Sequence, residues 1–91
     1  MVTAIILLNV ERQLLSTVID EILNVKGIVE VHAVVGEYDL AAIARVETTQ
    51  ELSGIIAGKM CNQINGITRS KTLISLNSKY NYDEMKVYGL S

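Results

Sequence analysis

The 91-residue chain has no proline, no tryptophan and no phenylalanine, and it has one cysteine, Cys61, and one histidine, His32. A single cysteine cannot close an internal disulfide. One cysteine with one histidine cannot build a Cys/His metal site, so no metal is expected. The same scarcity leaves little for catalysis. No carboxylate–histidine or nucleophile–base pair stands at a recognisable spacing, and His32 with Arg45 or Tyr38 is the only improvised combination. An excess of basic residues is missing too. The formal net charge is −2, which argues against direct nucleic-acid binding, because neutralising phosphates needs a basic footprint. No apolar run approaches the roughly 18 residues needed to span a bilayer. The apolar start of the chain has no basic leader and runs into Asn9 and charges, so it reads as a strand and not as a signal core. These absences describe a cytoplasmic, reduced protein with no cofactor and no membrane contact.

What is present is apolar: 49% of the residues are hydrophobic. A small fold leaves much of its surface outside the core, so this content predicts a subunit interface. Residues 3–10 are apolar on both alternating faces, as in a strand covered on both sides. Residues 11–25 carry Leu14, Leu15, Val18, Ile19, Ile22 and Val25 at three- and four-residue spacing, one apolar stripe of a helix, with Gly27 as its stop. Residues 28–35 alternate as a strand, with His32 on the more polar face. Gly36, Glu37, Tyr38 and Asp39 then form a polar cluster between two apolar runs, with the length and residues of a hairpin turn.

Residues 40–46 are read as a strand despite three alanines, because the segment is short and follows a turn. Thr48, three residues before Glu51, forms a capping box that opens a second helix. Leu52, Ile55, Ile56, Met60 and Ile64 make its stripe. Gly54 and Gly58 are unusual inside a helix and are read as points of close approach to the sheet or to another helix; Cys61 is read as a small packed hydrophobe. Asn65-Gly66-Ile67 repeats the earlier Lys26-Gly27-Ile28 turn. Residues 67–76 alternate again, with the hydroxyls of Thr68, Ser70 and Thr72 on one face. That row is explained either by strand propensity or by a hydrogen-bonding wall. The tail from residue 78 to 91 carries Tyr80, Tyr82 and Tyr88 and reads as an edge strand or an extension crossing to a neighbouring subunit.

The order strand, helix, strand, strand, helix, strand predicts an α+β fold, the ferredoxin-like βαββαβ antiparallel sheet with both helices on one face. The other face needs a cover. A second copy placed sheet to sheet, giving a dimeric α+β barrel, also accounts for the apolar excess.

Lys26-Gly27-Ile28, then Gly36-Glu37-Tyr38-Asp39-Leu40, then Val46-Glu47-Thr48, then Asn65-Gly66-Ile67-Thr68-Arg69-Ser70-Lys71-Thr72 resemble the effector-binding (RAM) domain of Lrp/AsnC transcription regulators. The resemblance covers residues 1–77. It implies a regulatory domain and not an enzyme, one that dimerises through its sheets and assembles into octamer or decamer rings. It implies a small effector, typically an amino acid, bound between dimers. Carried over by position, the effector residues are Gly36, Glu37, Tyr38 and Asp39, with Thr68, Ser70 and Thr72 from the last strand. Regulators of this family usually carry an N-terminal helix-turn-helix domain, whereas here the first strand follows Met1. The expectation is therefore a stand-alone form that modulates transcription indirectly, alone or with full-length Lrp/AsnC paralogues. The residues themselves leave a plainer reading open, in which Asp39 caps the turn, Gly36 supplies a positive φ and Tyr38 packs at a subunit contact. Two other functions also stay open: a small monooxygenase-like α+β-barrel enzyme, and an assembly protein without a ligand.

Overall fold

A computed structural model describes residues 1–77 and Lys79. The Cys61 side chain, and the path of the tail over residues 78 and 80–91, lie outside the described residues.

Four strands, β1 (Val2–Val10), β2 (Ile28–Ala33), β3 (Leu40–Val46) and β4 (Ile67–Ile74), form one antiparallel sheet in the order β2-β3-β1-β4. A 3-10 turn, Arg12–Leu14, leads into α1 (Leu15–Leu23). The second helix runs through α2 (Thr49–Ser53), a π-helical stretch Gly54–Met60 and α3 (Cys61–Gln63). This is the ferredoxin-like α+β arrangement the hydrophobic pattern predicts. Strand and helix ends differ slightly from the pattern, and the reason is local. Val34 and Val35 continue the apolar run but belong to the hairpin loop, where both are exposed.

The alternation of β1 and β3 places the core. Ala4, Ile6 and Leu8 on β1 and Leu40, Ala42 and Ala44 on β3 are fully buried. They form one cluster with Val18 and Ile22 of α1 and with Leu52, Ile55 and Met60 of the second helix, so both helices cover the same face. Burying each Leu or Ile side chain contributes about 1.5–3 kcal/mol. On the opposite face no helix among the described residues covers the strands. Ile5 and Leu73, directly opposite one another across β1 and β4, are 37% and 43% exposed. His32 and Glu30 lie on this face and pair at 2.9 Å.

The second helix starts as its capping box predicts. Thr48 Oγ1 accepts from the Glu51 backbone N–H at 3.1 Å, and Glu51 Oε2 accepts from the Glu47 N–H at 3.3 Å. Its two internal glycines, however, do not mark a close approach. Among the described residues, and apart from the helix's own nearby backbone, nothing lies within 4 Å of where a Cβ would stand at Gly54 or Gly58. The apolar residues face the sheet instead. Ile55 and Met60 are five residues apart, a spacing an α-helix would place on different faces. The wider winding of a π-helix, with i→i+5 hydrogen bonds, brings Met60 back onto the core side, where it is 1% exposed.

The close contacts expected of those glycines belong to the two turn glycines. Gly27 and Gly66 have φ of +102° and +104°, a region that L side chains rarely adopt. A Cβ on Gly27 would come within 2.9 Å of Ile55 and Val46, and one on Gly66 within 2.9 Å of Leu14. Each turn thus packs against the other strand–helix–strand unit. The backbone follows the same exchange: Arg45 N donates to Gly27 O, and Glu11 N donates to Gly66 O, both at 2.8 Å.

Candidate functional site at the hairpin

The β2–β3 hairpin is held by side chains and backbone at the end of β1. Gly36 has φ +146° with open space where a Cβ would be, so its backbone conformation and not crowding favours glycine there. Asp39 sits at the loop's exit. Its N–H donates to Leu8 O and its carbonyl accepts from Val34 N–H, both at 2.9 Å. Asp39 Oδ2 accepts from Val10 N–H at 3.0 Å and from Asn9 Nδ2 at 3.3 Å. Asn9 Nδ2 also donates to Glu37 O at 3.0 Å. The N–H of Val10 chiefly holds the Asp39 carboxyl below the usual carboxylate range. The Asn9 amide and the Arg12 charge add to this, against an opposing effect of burial.

A cleft of about 390 Å³ opens beside the hairpin, bordered by Arg12, Gly36 and Asp39 and walled by Val10, Leu15 and Val35. One cation and one anion therefore border a space of mixed polar and apolar lining. Arg12 is there because the 3-10 turn follows β1 directly.

The other hairpin residues take a different side. The Arg69 guanidinium lies 4.8 Å from the centre of the Tyr38 ring, within cation–π range, and its Nη2 is 3.5 Å from Glu37 Oε1. Thr68 Oγ1 donates to Asn9 O at 3.2 Å, next to a register shift between Asn9 and Val10 in the β1–β4 ladder. Ser70 and Thr72 lie opposite Leu8 and Ile6 along the edge strand, away from the hairpin. Of the seven residues expected at an effector site, Gly36 and Asp39 border the cleft. Glu37 and Tyr38 gather on Arg69, Thr68 joins through Asn9, and Ser70 and Thr72 stand apart.

Three residues at the site were not singled out from sequence: Asn9, Arg12 and Arg69. Asn9 ended a strand pattern, and its partners lie 28, 30 and 59 residues away. The available signal was weak: a lone polar residue at the end of an otherwise apolar strand. Arg69 stands within the quoted last-strand motif, which assigns it no role of its own.

Fold and hairpin together define a ferredoxin-like domain whose polar groups converge at one end of the sheet. The family model "Lrp/AsnC ligand binding domain" matches residues 3–85, and the chain belongs to that family. It is 33% identical over 58 residues to an uncharacterised HTH-type transcriptional regulator, PH1916, of Pyrococcus horikoshii; the match takes in 64% of this chain and 38% of that protein's length. Among solved structures, TTHA0845 from Thermus thermophilus superposes with a TM-score of 0.82 at 25% identity, covering 89% of this chain and all of the other. The transcriptional regulator NMB0573 from Neisseria meningitidis, solved as its L-Met complex, superposes with a TM-score of 0.83 at 12% identity, over 99% of this chain and 59% of that one. This last likeness is one of fold.

Proposed function

We propose that this chain is a regulatory domain that binds an amino acid at the hairpin cleft, and that its copies pair through the uncovered sheet faces. Dimers then assemble into rings, with the cleft between dimers. The observation that carries the reading is that Arg12 and Asp39 both border one cleft, along with the apolar Val10, Leu15 and Val35. An amino acid presents a carboxylate and an ammonium at fixed separation. A guanidinium matches a carboxylate with two parallel hydrogen bonds. Asp39 Oδ2 is committed to Val10 and Asn9, which leaves Oδ1 to accept from the ammonium. Gly36 lets ligand atoms approach its backbone. Glu37 and Tyr38, steadied by Arg69, together with Thr68, Ser70 and Thr72, offer contacts for the ligand or the adjoining dimer. The L-Met complex of the Neisseria regulator supports the ligand class. The exposed Ile5 and Leu73 support sheet-to-sheet pairing. The output is indirect control of transcription in the cytoplasm, through full-length Lrp/AsnC paralogues.

Calorimetry of the full chain against the twenty common amino acids tests this. At least one should bind with a Kd of millimolar or tighter. Arg12→Ala and Asp39→Ala should each weaken that binding about tenfold or more, as expected for a lost charge-assisted hydrogen bond, with the mass in solution unchanged. Absence of binding at millimolar ligand rejects the effector reading and leaves an assembly protein. A monomer at micromolar concentration rejects the assembly.

A further inference from the structure

We propose a second ligand site, at the opposite end of the sheet from the hairpin, for a small amphipathic carboxylate. β3 runs from the hairpin at Leu40 to Val46, and beside Val46 lies a cleft of about 660 Å³ between the 25–28 turn and the second helix. This volume is within the range of small-molecule sites. Val25, Val46 and Ile55 supply its apolar lining. That lining is firmly built, because Val46 and Ile55 close on Gly27 with no room for a Cβ.

Two lysines from different elements meet at the cleft, Lys26 from the turn and Lys59 from the π-helical stretch. They also border an adjoining cleft of about 440 Å³ that shares Val25 with the first, so they stand where the two spaces join. Among the described residues the ion pairs are His32 with Glu30 and Arg69 with Glu37. Among the described residues neither Lys26 nor Lys59 forms an ion pair with a carboxylate, in a chain with more acidic than basic residues. Two carboxylates, Glu47 and Glu51, and the Arg45 side chain also border the larger cleft. Glu51 is tied into the helix cap by the Glu47 N–H. One carboxylate, Glu21, borders the adjoining space with the two lysines and forms an ion pair with neither of them.

The helix wall is open at Gly54, which borders the cleft and has nothing within 4 Å of its missing Cβ. A glycine costs about 1 kcal/mol relative to alanine inside a helix, and no contact to another element among the described residues requires it. π-helical turns are rare and recur at functional sites; here that winding carries Gly54, Ile55 and Lys59 into the cleft together. An apolar lining, two ammonium groups without an ion pair among the described residues and an open wall suit a carboxylate between Lys26 and Lys59 with an aliphatic body on Val25, Val46 and Ile55.

The test is a titration of the full, isotope-labelled chain with octanoate, followed by amide chemical shifts, with octanol and inorganic phosphate as separate arms. Saturable octanoate shifts at Lys26, Gly27 and 54–59, weaker for octanol and for phosphate, are expected. A Lys26→Gln/Lys59→Gln double variant should lose about tenfold in octanoate affinity while its Tm stays unchanged, since both side chains are exposed. Gly54→Leu, which places a side chain at the open wall, should abolish the shifts. Equal response to octanol, equal response to phosphate, shifts at the hairpin, or no saturable shift overturns the proposal. The hairpin cleft is at the other end of the sheet, so amino-acid binding there succeeds or fails separately.

Discussion

The two strand–helix–strand units follow the same plan but use glycine differently. In the first, α1 is a regular helix without internal glycine, and the following turn carries Gly27. In the second, the helix carries Gly54 and Gly58 and opens into π winding, and the following turn carries Gly66. Both turn glycines are fixed twice, by positive φ and by the side chains pressed against them. Both helix glycines are fixed by neither, since their surroundings are open. The same residue type thus marks a steric demand in one place and an unfilled surface in the other.

The sharpest test of this difference is substitution by alanine. Gly66→Ala and Gly27→Ala should each destabilise the fold by about 2–4 kcal/mol, the sum of left-handed backbone strain and overpacking, read from urea unfolding midpoints. Values below 1 kcal/mol would show that the two turns can relax, and the contrast would fail. The joint between the units comes next. Asn9→Ala removes both hydrogen bonds from Nδ2 and should cost about 1–2 kcal/mol, with faster amide exchange in the hairpin than in α1. Gly54→Ala and Gly58→Ala should act in the opposite direction, each raising stability by about 0.5–1 kcal/mol. A loss at either position would mean that the π winding depends on glycine.

The smallest effect at neutral pH belongs to the hairpin carboxylate. The folded Asp39 has a lowered pKa. It therefore adds stability that is fully present above its unfolded value, about 3.9, and is lost as the pH falls through the lower folded value. Asp39→Asn should flatten the decline in unfolding midpoint below about pH 4 relative to the parent chain. An identical acid decline in both proteins would show that the carboxylate is not held by Val10 and Asn9.

The strands and helices could be read from sequence because alternation and helical stripes are local, and here local pattern and burial agree. Ala4, Ile6 and Leu8 alternate in the chain and are buried together. The repeated Gly-Ile turns marked both units for the same reason. The π winding was hidden because the stripe was read at α spacing, which left the glycines as the only visible irregularity. The Gly36–Asp39 turn was legible from its residue types, but what anchors it was not. Asn9 and Arg12 reach the hairpin through the pairing of β1 with β3, and Arg69 reaches it through the pairing of β1 with β4. No window of sequence contains those contacts.

The exchange of turn contacts between units bears on how the chain can be divided. Gly27 needs Ile55 and Val46 around it, and Gly66 needs Leu14 and Val18. Each half therefore leaves its own turn uncovered and supplies the cover for the other. A chain cut between the exposed Val35 and Gly36 would yield two fragments that are each unfolded alone and fold on mixing. Half of this domain is a complementary piece, not a smaller domain.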